Sequence, residues 1–429
     1  MTSPARTPSN SHQTGDIIAD AASLEDPIAP RGGMFAVLSE SKPFRRLLLA
    51  SIALALGQWM QGTALGWLAL DLTDSEAFVG LVAFCGGLPF LIVSIPGGLI
   101  IDRFDRRHVI VVCQIAVAIL SAIVAIDVLT GHVQPWHLPI AVFINGSLQA
   151  VLNPAQQSIV PNLVPSYRLT NAIGLLAAGQ NMTRVVGPTI AGTVIGFAGT
   201  GQAISLQVVT VSIALMLILL TEFPERLVAR TTASISTLLE GARTVASRPD
   251  LRSLFLMVSI PTLLVFPYLS FMSIFARYVL DIGPQGLGML MAASGIGAVC
   301  GSLWIASRAK MPTSRQLIAQ SVVYGLVVAA FAASRYVPLS LIFLALAGFL
   351  GSSFMGANNA LLQHRIDDRI RGRVFGIYMM TFGLMPIGTL PMGWVSSAIS
   401  APVAVGGAAM IASFLTIGLF FSSPELRNG

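Results

Sequence analysis

The stretch GLIIDRFDRR, residues 98–107, places a group of charged side chains directly after an apolar run. The charged residues are Asp102, Arg103, Asp105, Arg106 and Arg107. Elsewhere charge is scarce, since 10% of the 429 residues are charged and 54% are hydrophobic, whereas soluble domains carry about 25% charged residues. This composition indicates a chain solvated by lipid, so we expect the charged group to form a turn at the membrane surface.

Apolar stretches long enough to cross a bilayer as helices, which takes about 20 residues, recur along the chain. The predicted spans are 45–71, 78–101, 109–130, 137–159, 171–198, 203–222, 253–280, 286–307, 316–333, 338–363, 373–398 and 401–422. The sequence therefore predicts an all-α integral membrane protein with twelve transmembrane helices.

Basic residues predict the orientation, because Lys and Arg in short connections stay in the cytoplasm. All 25 basic residues except Arg184, Arg277 and Arg335 fall on one predicted side of the membrane, together with both termini. We expect a multi-pass protein of the plasma (inner) membrane of a bacterium, with both termini cytoplasmic. The net charge of +6 is then explained by topology and anionic lipids, and no nucleic-acid partner is expected.

The longest polar interval between predicted spans divides them into two sets of six. The predicted segments are a largely disordered cytoplasmic tail at 1–44, a six-helix bundle at 45–222, a cytoplasmic linker at 223–252, a second six-helix bundle at 253–422 and a cytoplasmic tail at 423–429. Apolar residues recur at helical spacing from Ile235 to Ala246 in the linker. This periodicity predicts an amphipathic helix on the inner leaflet.

The two sets of spans also resemble each other. GPTIAGTV at 187–194 is similar to GTLPMGWV at 388–395, which aligns Gly187 and Gly192 with Gly388 and Gly393. Internal repeats of this kind are typical of transporters, whose binding sites lie between the repeats. Small residues such as these glycines let helices approach closely.

From about residue 45 to 422 these features resemble the major facilitator superfamily. Its signature G-x-x-x-D-R-x-G-R-R is matched by Gly98, Asp102, Arg103, Arg106 and Arg107, while Asp105 stands where the signature has glycine. Residues 153–188, 275–303 and 371–388 resemble the branch that contains macrolide efflux pumps and enterobactin exporters. The resemblance implies two six-helix pseudo-repeat bundles.

The resemblance also implies a cytoplasmic gate and coupling to protons. In the family the signature aspartate, here Asp102, belongs to a charge network that locks one state, and Arg371 and Arg373 are candidate partners from the opposite half. The alternative for the arginines of the signature is a solvated turn that fixes the topology. Related drug antiporters carry an arginine in the fourth helix for proton coupling, and Asn145 occupies the corresponding region here.

The antiporter pattern of the fifth helix, G-P-x-x-G-G, is matched by Gly187, Pro188 and Gly192, with Ala191 where the pattern has glycine. The resemblance therefore implies a helix-packing motif at these three residues.

Polar side chains inside the predicted spans indicate a cavity. Arg184 lies well inside the fifth span, where burial costs about 2.5–3.5 kcal/mol, so it is expected to face the interior of the bundle. The candidate cavity residues are Gln58, Gln61, Asn145, Gln149, Asn181, Arg184, Tyr268 and Met385. The alternatives are that Arg184 is a structural clamp on carbonyls or on Asn181 and Gln149, and that the amides join neighbouring helices.

Residues for bond-making chemistry are not grouped in the sequence. No Ser/His/Asp or His/Glu grouping and no CxxC spacing occurs, so we predict no catalytic residues, no metal and no cofactor. The predicted function is a secondary active exporter of small amphipathic compounds such as drugs, working by alternating access and driven by the proton gradient. The alternatives are a siderophore or lysolipid exporter and, from another class, a non-transporting membrane sensor or scaffold. Expected partners are a small-molecule substrate, protons and membrane lipids.

Overall fold

The computed structural model describes residues 33, 35–223, 235–308, 311–366, 370, 374, 377, 378 and 380–427, with the side chains of 94, 95, 98, 99, 102 and 235–239 left aside. Twelve helical passages, α1 to α12, follow one another in this part of the chain. They are α1 Lys42–Thr73, α2 Glu76–Ile92 with Ser94–Arg103, α3 Arg106–Leu129, α4 His137–Ile159, α5 Leu169–Ala198, α6 Thr200–Leu219, α7 Pro249–Leu264 with its irregular continuation to Val279, α8 Gly283–Ala306, α9 Ser314–Ala333, α10 Val337–Arg365, α11 Leu384–Ala398 and α12 Ala401–Ser422.

Nine of the described helices are long and apolar enough to cross a membrane. The other three passages are α2, which is divided at Val93, α5, which carries Gln180, Asn181 and Arg184, and α11, whose regular helix has 15 residues. The predicted all-α, twelve-helix membrane fold is confirmed. A further helix, Ile235–Ser247, lies between α6 and α7 in the linker.

Side chains at the turns account for several helix starts. Ser41 accepts a hydrogen bond from the backbone of Phe44 at 3.2 Å and begins α1, and Ser75 accepts one from Phe78 at 3.3 Å and begins α2. Thr313 and Gln316 form a capping box at α9. Each satisfies backbone N–H groups that have no partner in the first helical turn.

The two halves of the chain repeat the same packing. In the N-terminal half α1 packs on α5 and α6, α2 on α4, and α3 on α6. In the C-terminal half α7 packs on α11 and α12, α8 on α10, and α9 on α12. The halves contact each other chiefly where α2 crosses α11 and where α5 crosses α8.

Buried apolar residues show that the halves join at one end. One buried cluster contains residues of both halves, among them Trp67 of α1 and Phe271 of α7. Toward the other end the described core divides into two clusters, one around Leu47 of α1 and one around Met257 of α7. We call the end where α1 and α7 finish the closed end, and the opposite end the open end.

Candidate functional site

Three adjoining recesses lie along α1, and residues of the C-terminal half line two of them. The amide recess has a volume of about 300 Å³ and contains Gln61, Asn145 and Gln149 in its wall. The methionine recess measures about 180 Å³, with Met291 and Met385 in its wall. The arginine recess, which contains Arg184, measures about 520 Å³. Gln58, Trp59, Gly62, Gly66 and Ser270 each line two of the recesses, so the three adjoin one another, and we call them together the central cavity.

The amide recess joins α1, α2 and α4. Asn145 donates a hydrogen bond from Nδ2 to Oε1 of Gln61 at 2.8 Å. Gln61 and Gln149 are 6% and 3% exposed, yet Nε2 of Gln61 and both amide atoms of Gln149 have no hydrogen-bond partner among the described residues. Buried amides normally find partners, so these groups are available to a molecule inside the recess.

The arginine recess is formed by α1, α4 and α5. The guanidinium of Arg184 stands over the ring of Trp59, with its carbon 5.4 Å from the ring centre. Gln58 and Asn181 line the same recess, as does Gln156, whose buried Nε2 has no partner in the described part of the chain. The clamp alternative requires hydrogen bonds from Arg184 to carbonyls or to Asn181 and Gln149. No such hydrogen bond occurs among the described residues.

The methionine recess has an apolar wall from the C-terminal half. Leu269, Met272, Leu287, Met291 and Met385 supply most of it. Beside this wall α7 departs from α-helical geometry, passing through a 3₁₀ stretch at Phe266–Phe271 and a π turn at Phe275–Val279. Irregular backbone at membrane depth is tolerated where it lines a cavity or is buried in protein, and Ser270 in the 3₁₀ stretch lines this recess.

Tyr268, one of the predicted cavity residues, does not line these recesses. It is 1% exposed inside the shared core, and its hydroxyl lies 3.0 Å from Oγ of Ser294. A tyrosine can bury its ring while one hydroxyl contact satisfies its polar end. The other seven predicted cavity residues all line the central cavity.

The charged turn between α2 and α3 binds the ends of neighbouring helices in its own half. Nη1 of Arg106 donates to the carbonyl of Ser158 at the end of α4 at 2.7 Å, and Nη2 of Arg107 donates to Leu219 at the end of α6 at 3.2 Å. Asp105 caps α3 by accepting from the backbone of Arg107 at 2.7 Å. Basic side chains at helix C-termini satisfy carbonyls and oppose the helix dipole.

The remaining residues of the predicted gate are only partly described. Arg103 is exposed at the end of α2. Gly98 and Asp102 belong to the helix Ser94–Arg103, but the described part of the structure leaves out their side chains. Arg371 and Arg373 lie outside the described residues, so pairing of Asp102 with either arginine stays a prediction.

The predicted packing motif lies where α5 meets α1 and α8. A Cβ on Gly187 would stand 2.7 Å from Cβ of Trp59, and one on Gly192 would stand 2.9 Å from Cα of Gly288. The carbonyl of Pro188 lies 3.0 Å from the Cβ position of Gly288.

The repeated glycines occupy equivalent places in the other half. Gly388 packs α11 on Leu263 and Pro267 of α7, and Gly393 packs α11 on Gly80 of α2. The two aligned pairs of glycines therefore hold equivalent contacts in the two halves.

Polar contacts at the closed end bridge the halves, and sequence reasoning did not bring these residues together. Nη1 of Arg277 lies 2.5 Å from Oδ1 of Asp71, and Tyr278 donates to Asp74. Beside them Ser396 donates to Glu76, and Oγ of Ser397 accepts from the backbone of Ala77 at 2.9 Å. Arg277 is one of three basic residues that the sequence places away from the basic side, and this isolation is the signal by which it could have been found.

Acidic residues are missing from the described walls of the central cavity. Asp127 lies in a separate recess between α3 and α4, where Oδ2 is 2.5 Å from Nδ1 of His137. Near the open end, Glu40 pairs with Arg168 at 2.7 Å, and this hydrogen bond holds the pKa of Arg168 above its ordinary value.

Comparison with known families settles which proteins share this architecture. Residues 33–428 match a family of the major facilitator superfamily described as transmembrane secretion effector. The chain belongs to this family. The family is one of secretion effectors, and the curated relatives reported below are named as a transporter and as efflux proteins, so the predictions of a superfamily transporter and of a non-enzyme are confirmed.

Curated bacterial relatives match most of the chain. The staphyloferrin A transporter of Staphylococcus aureus is 24% identical over 80% of this chain and 87% of its own length. The multidrug efflux pump Tap of Mycolicibacterium fortuitum is 26% identical over 88% and 92%. Macrolide efflux protein A of Streptococcus pyogenes is 23% identical over 77% and 82%.

Solved structures share the fold. A bacterial homolog of the human lysosomal transporter Spinster, in an inward-facing and occupied conformation, has a TM-score of 0.69 at 16% identity and covers 90% of this chain and 96% of its own. The nucleoside transporter NupG has a TM-score of 0.66 at 17% identity over 90% of this chain and 100% of its own.

Proposed function

We propose that this transporter exports small amphipathic compounds across the bacterial inner membrane by alternating access, driven by the proton gradient. The observation that carries the proposal is the central cavity between two halves that join at one end. A cavity that opens toward only one side at a time is what alternating access requires.

The basic residues give this arrangement a direction. Arg103, Arg106, Arg107 and Arg168 lie at the open end, which we place in the cytoplasm by the positive-inside rule. Both termini then lie in the cytoplasm, and the closed end faces outward. A compound would enter the cavity from the cytoplasm and leave after the contacts of Asp71, Asp74 and Glu76 with the opposite half have broken.

The relatives support export as the direction of transport. Two of the three described above are named as efflux proteins, one for macrolides and one for multiple drugs. The pairing of an amide-lined wall with a methionine wall suits amphipathic compounds, because methionine side chains adapt to varied apolar shapes.

Proton coupling, as proposed, involves acids at the two ends of the path. Asp71, Asp74 and Glu76 bridge the halves at the closed end, and Asp102 would pair with Arg371 or Arg373 when the open end closes. If the Asp102→Asn variant keeps both wild-type transport and the wild-type balance of inward-open and outward-open states, this gate is wrong.

Everted membrane vesicles test the proposed function. The probe is the primary amide of 11-(dansylamino)undecanoic acid, an uncharged fluorescent amphiphile. We expect it to accumulate in vesicles that contain the protein when a pH gradient is imposed, and accumulation to cease when nigericin collapses the gradient. Vesicles without the protein are the control.

Each outcome bears on a different element of the proposal. Accumulation that continues in the presence of nigericin would show that the proton gradient does not drive transport, while export itself would stand. Binding of the probe to purified protein without accumulation in vesicles would favour the sensor or scaffold alternative.

A further inference from the structure

We infer that the central cavity selects anionic amphiphiles, with a carboxylate-type head group bound by Arg184 and by buried amides of the N-terminal half. The inference rests on the proposed function and deepens it by naming the chemical class of the substrate.

The first argument is the charge of the cavity. Among the described residues that line the three recesses, Arg184 is the sole ionisable side chain. No carboxylate in these walls neutralises it. Arg184 is half-buried, and a cation partly removed from water attracts an anion and repels an ammonium group more strongly than it would in bulk water.

The second argument is the environment of Arg184. Its guanidinium carbon lies 5.4 Å from the centre of the Trp59 ring, and this cation–π contact occupies none of its N–H groups as hydrogen-bond donors. No hydrogen bond or ion pair of this guanidinium occurs within the described part of the chain. Guanidinium binds a carboxylate through two parallel hydrogen bonds, an arrangement that a single donor group cannot reproduce.

The third argument is the set of amides near Arg184. Nε2 of Gln156 is buried in the arginine recess, and Nε2 of Gln61 and Gln149 are buried in the adjoining amide recess, all without a described partner. Each can donate hydrogen bonds to a carboxylate, which only accepts. An ammonium group only donates, so it could use Oε1 of Gln149 but would leave the Nε2 donors unpaired.

The position of the methionine recess fixes where the apolar part of such a ligand lies. This recess shares Trp59 with the arginine recess, and shares Gly62, Gly66 and Ser270 with the amide recess. A ligand with its head group at Arg184 therefore directs its apolar chain toward Met291 and Met385.

Equilibrium binding of three matched probes to the purified full-length protein tests the inference. The probes are 11-(dansylamino)undecanoic acid, its primary amide, and the corresponding primary amine, which differ mainly in head-group charge. We expect the carboxylate to bind about tenfold to a hundredfold tighter than the ammonium probe, the range of a hydrogen bond to a charged group. Arg184→Gln should abolish this preference, and Arg184→Lys should retain part of it.

The matched control is Arg335→Gln, which removes one positive charge from an exposed position outside the cavity. It should keep the wild-type preference, and the unfolding temperature of each variant shows whether it is folded. Equal or tighter binding of the ammonium probe, no binding of the carboxylate probe, or a preference that survives Arg184→Gln would each overturn the inference. Failure of the proposed function would appear separately: the amide probe would not accumulate in vesicles although the probes still bind to the purified protein.

Discussion

The two halves of the transporter share a framework and differ in chemistry. Gly187 and Gly388 fix α5 on α1 and α11 on α7 in the same way. Arg184 and Met385 stand at the same distance before these glycines, and both line the central cavity. The repeat therefore preserves helix crossings while the cavity walls diverge, one toward polar recognition and the other toward an adaptable apolar surface.

The first helices of the two halves, α1 and α7, differ in backbone geometry. α1 is a continuous helix, Lys42–Thr73, that brings Gln58 and Gln61 to the cavity. α7 has 3₁₀ geometry where Leu269 and Ser270 line the cavity, and a π turn follows at Phe275–Val279. The polar wall is thus formed in part by the regular helix α1, and the apolar wall in part by the irregular segment of α7.

The largest effect is expected where the halves are alike. Gly192→Leu and Gly80→Leu would force side chains into the two crossings, where the added Cβ alone would stand 2.9 Å from Cα of Gly288 and 3.0 Å from Cα of Gly393. Overpacking costs about 1–3 kcal/mol, so we expect transport of the amide probe to fall about tenfold or more in both variants.

Gly407→Leu is the control for these two variants, because a Cβ there meets nothing within 4 Å. Vesicle uptake and the unfolding temperature are the measurements. Tolerance of leucine at one crossing but not at the other would show that the two frameworks are not equivalent.

A smaller effect should separate the two walls of the cavity. Gln149→Leu removes buried hydrogen-bonding groups, and we expect the affinity for the carboxylate probe to fall about twofold to tenfold, as for one hydrogen bond. Met291→Leu keeps the volume and apolar character of the opposite wall, so its effect on the affinity for the carboxylate probe should be smaller than that of Gln149→Leu. Equal losses of affinity in both variants would contradict the distinction between a polar and an apolar wall.

The smallest effect is expected at the closed end. The Asp71–Arg277 pair is 38% and 31% exposed, and exposed pairs contribute about 0.2–1 kcal/mol. Asp71→Asn should therefore shift the protein toward the outward-open state by about fivefold at most.

Labelling from outside the cell measures this shift. A Ser270→Cys reporter, in a background lacking Cys85, Cys113 and Cys300, should react faster with a membrane-impermeant maleimide in the Asp71→Asn variant. The charge exchange Asp71→Arg with Arg277→Asp should restore slow labelling. Unchanged labelling in Asp71→Asn would mean that the pair does not hold the closed end.

Much of the fold followed from hydrophobic length, because lipid imposes helices on long apolar stretches. The same criterion missed the division of α2 at Val93 and the irregular segment of α7, since apolar composition does not distinguish α, 3₁₀ and π geometry. In the cavity, the helical spacing of Asn145 and Gln149 correctly placed both on one face of α4.

Two features of the site could not be predicted from the periodicity of the sequence. A tyrosine looks the same in sequence whether its hydroxyl faces a cavity or, as in Tyr268, a serine in the core. The contact of Asp71 with Arg277 joins residues 206 positions apart, and only the approach of the two halves brings them together.

The central claim is that anion recognition requires the arginine beside the buried amides of the N-terminal wall and is not given by the positive charge of the cavity alone. Exchanging the equivalent residues Arg184 and Met385 tests it most directly. The variant Arg184→Met with Met385→Arg keeps one arginine in the cavity but moves it to the methionine recess. We predict that binding of the carboxylate and ammonium probes to this variant loses the preference for the carboxylate, as in Arg184→Gln. A preference equal to that of the wild type would contradict the claim.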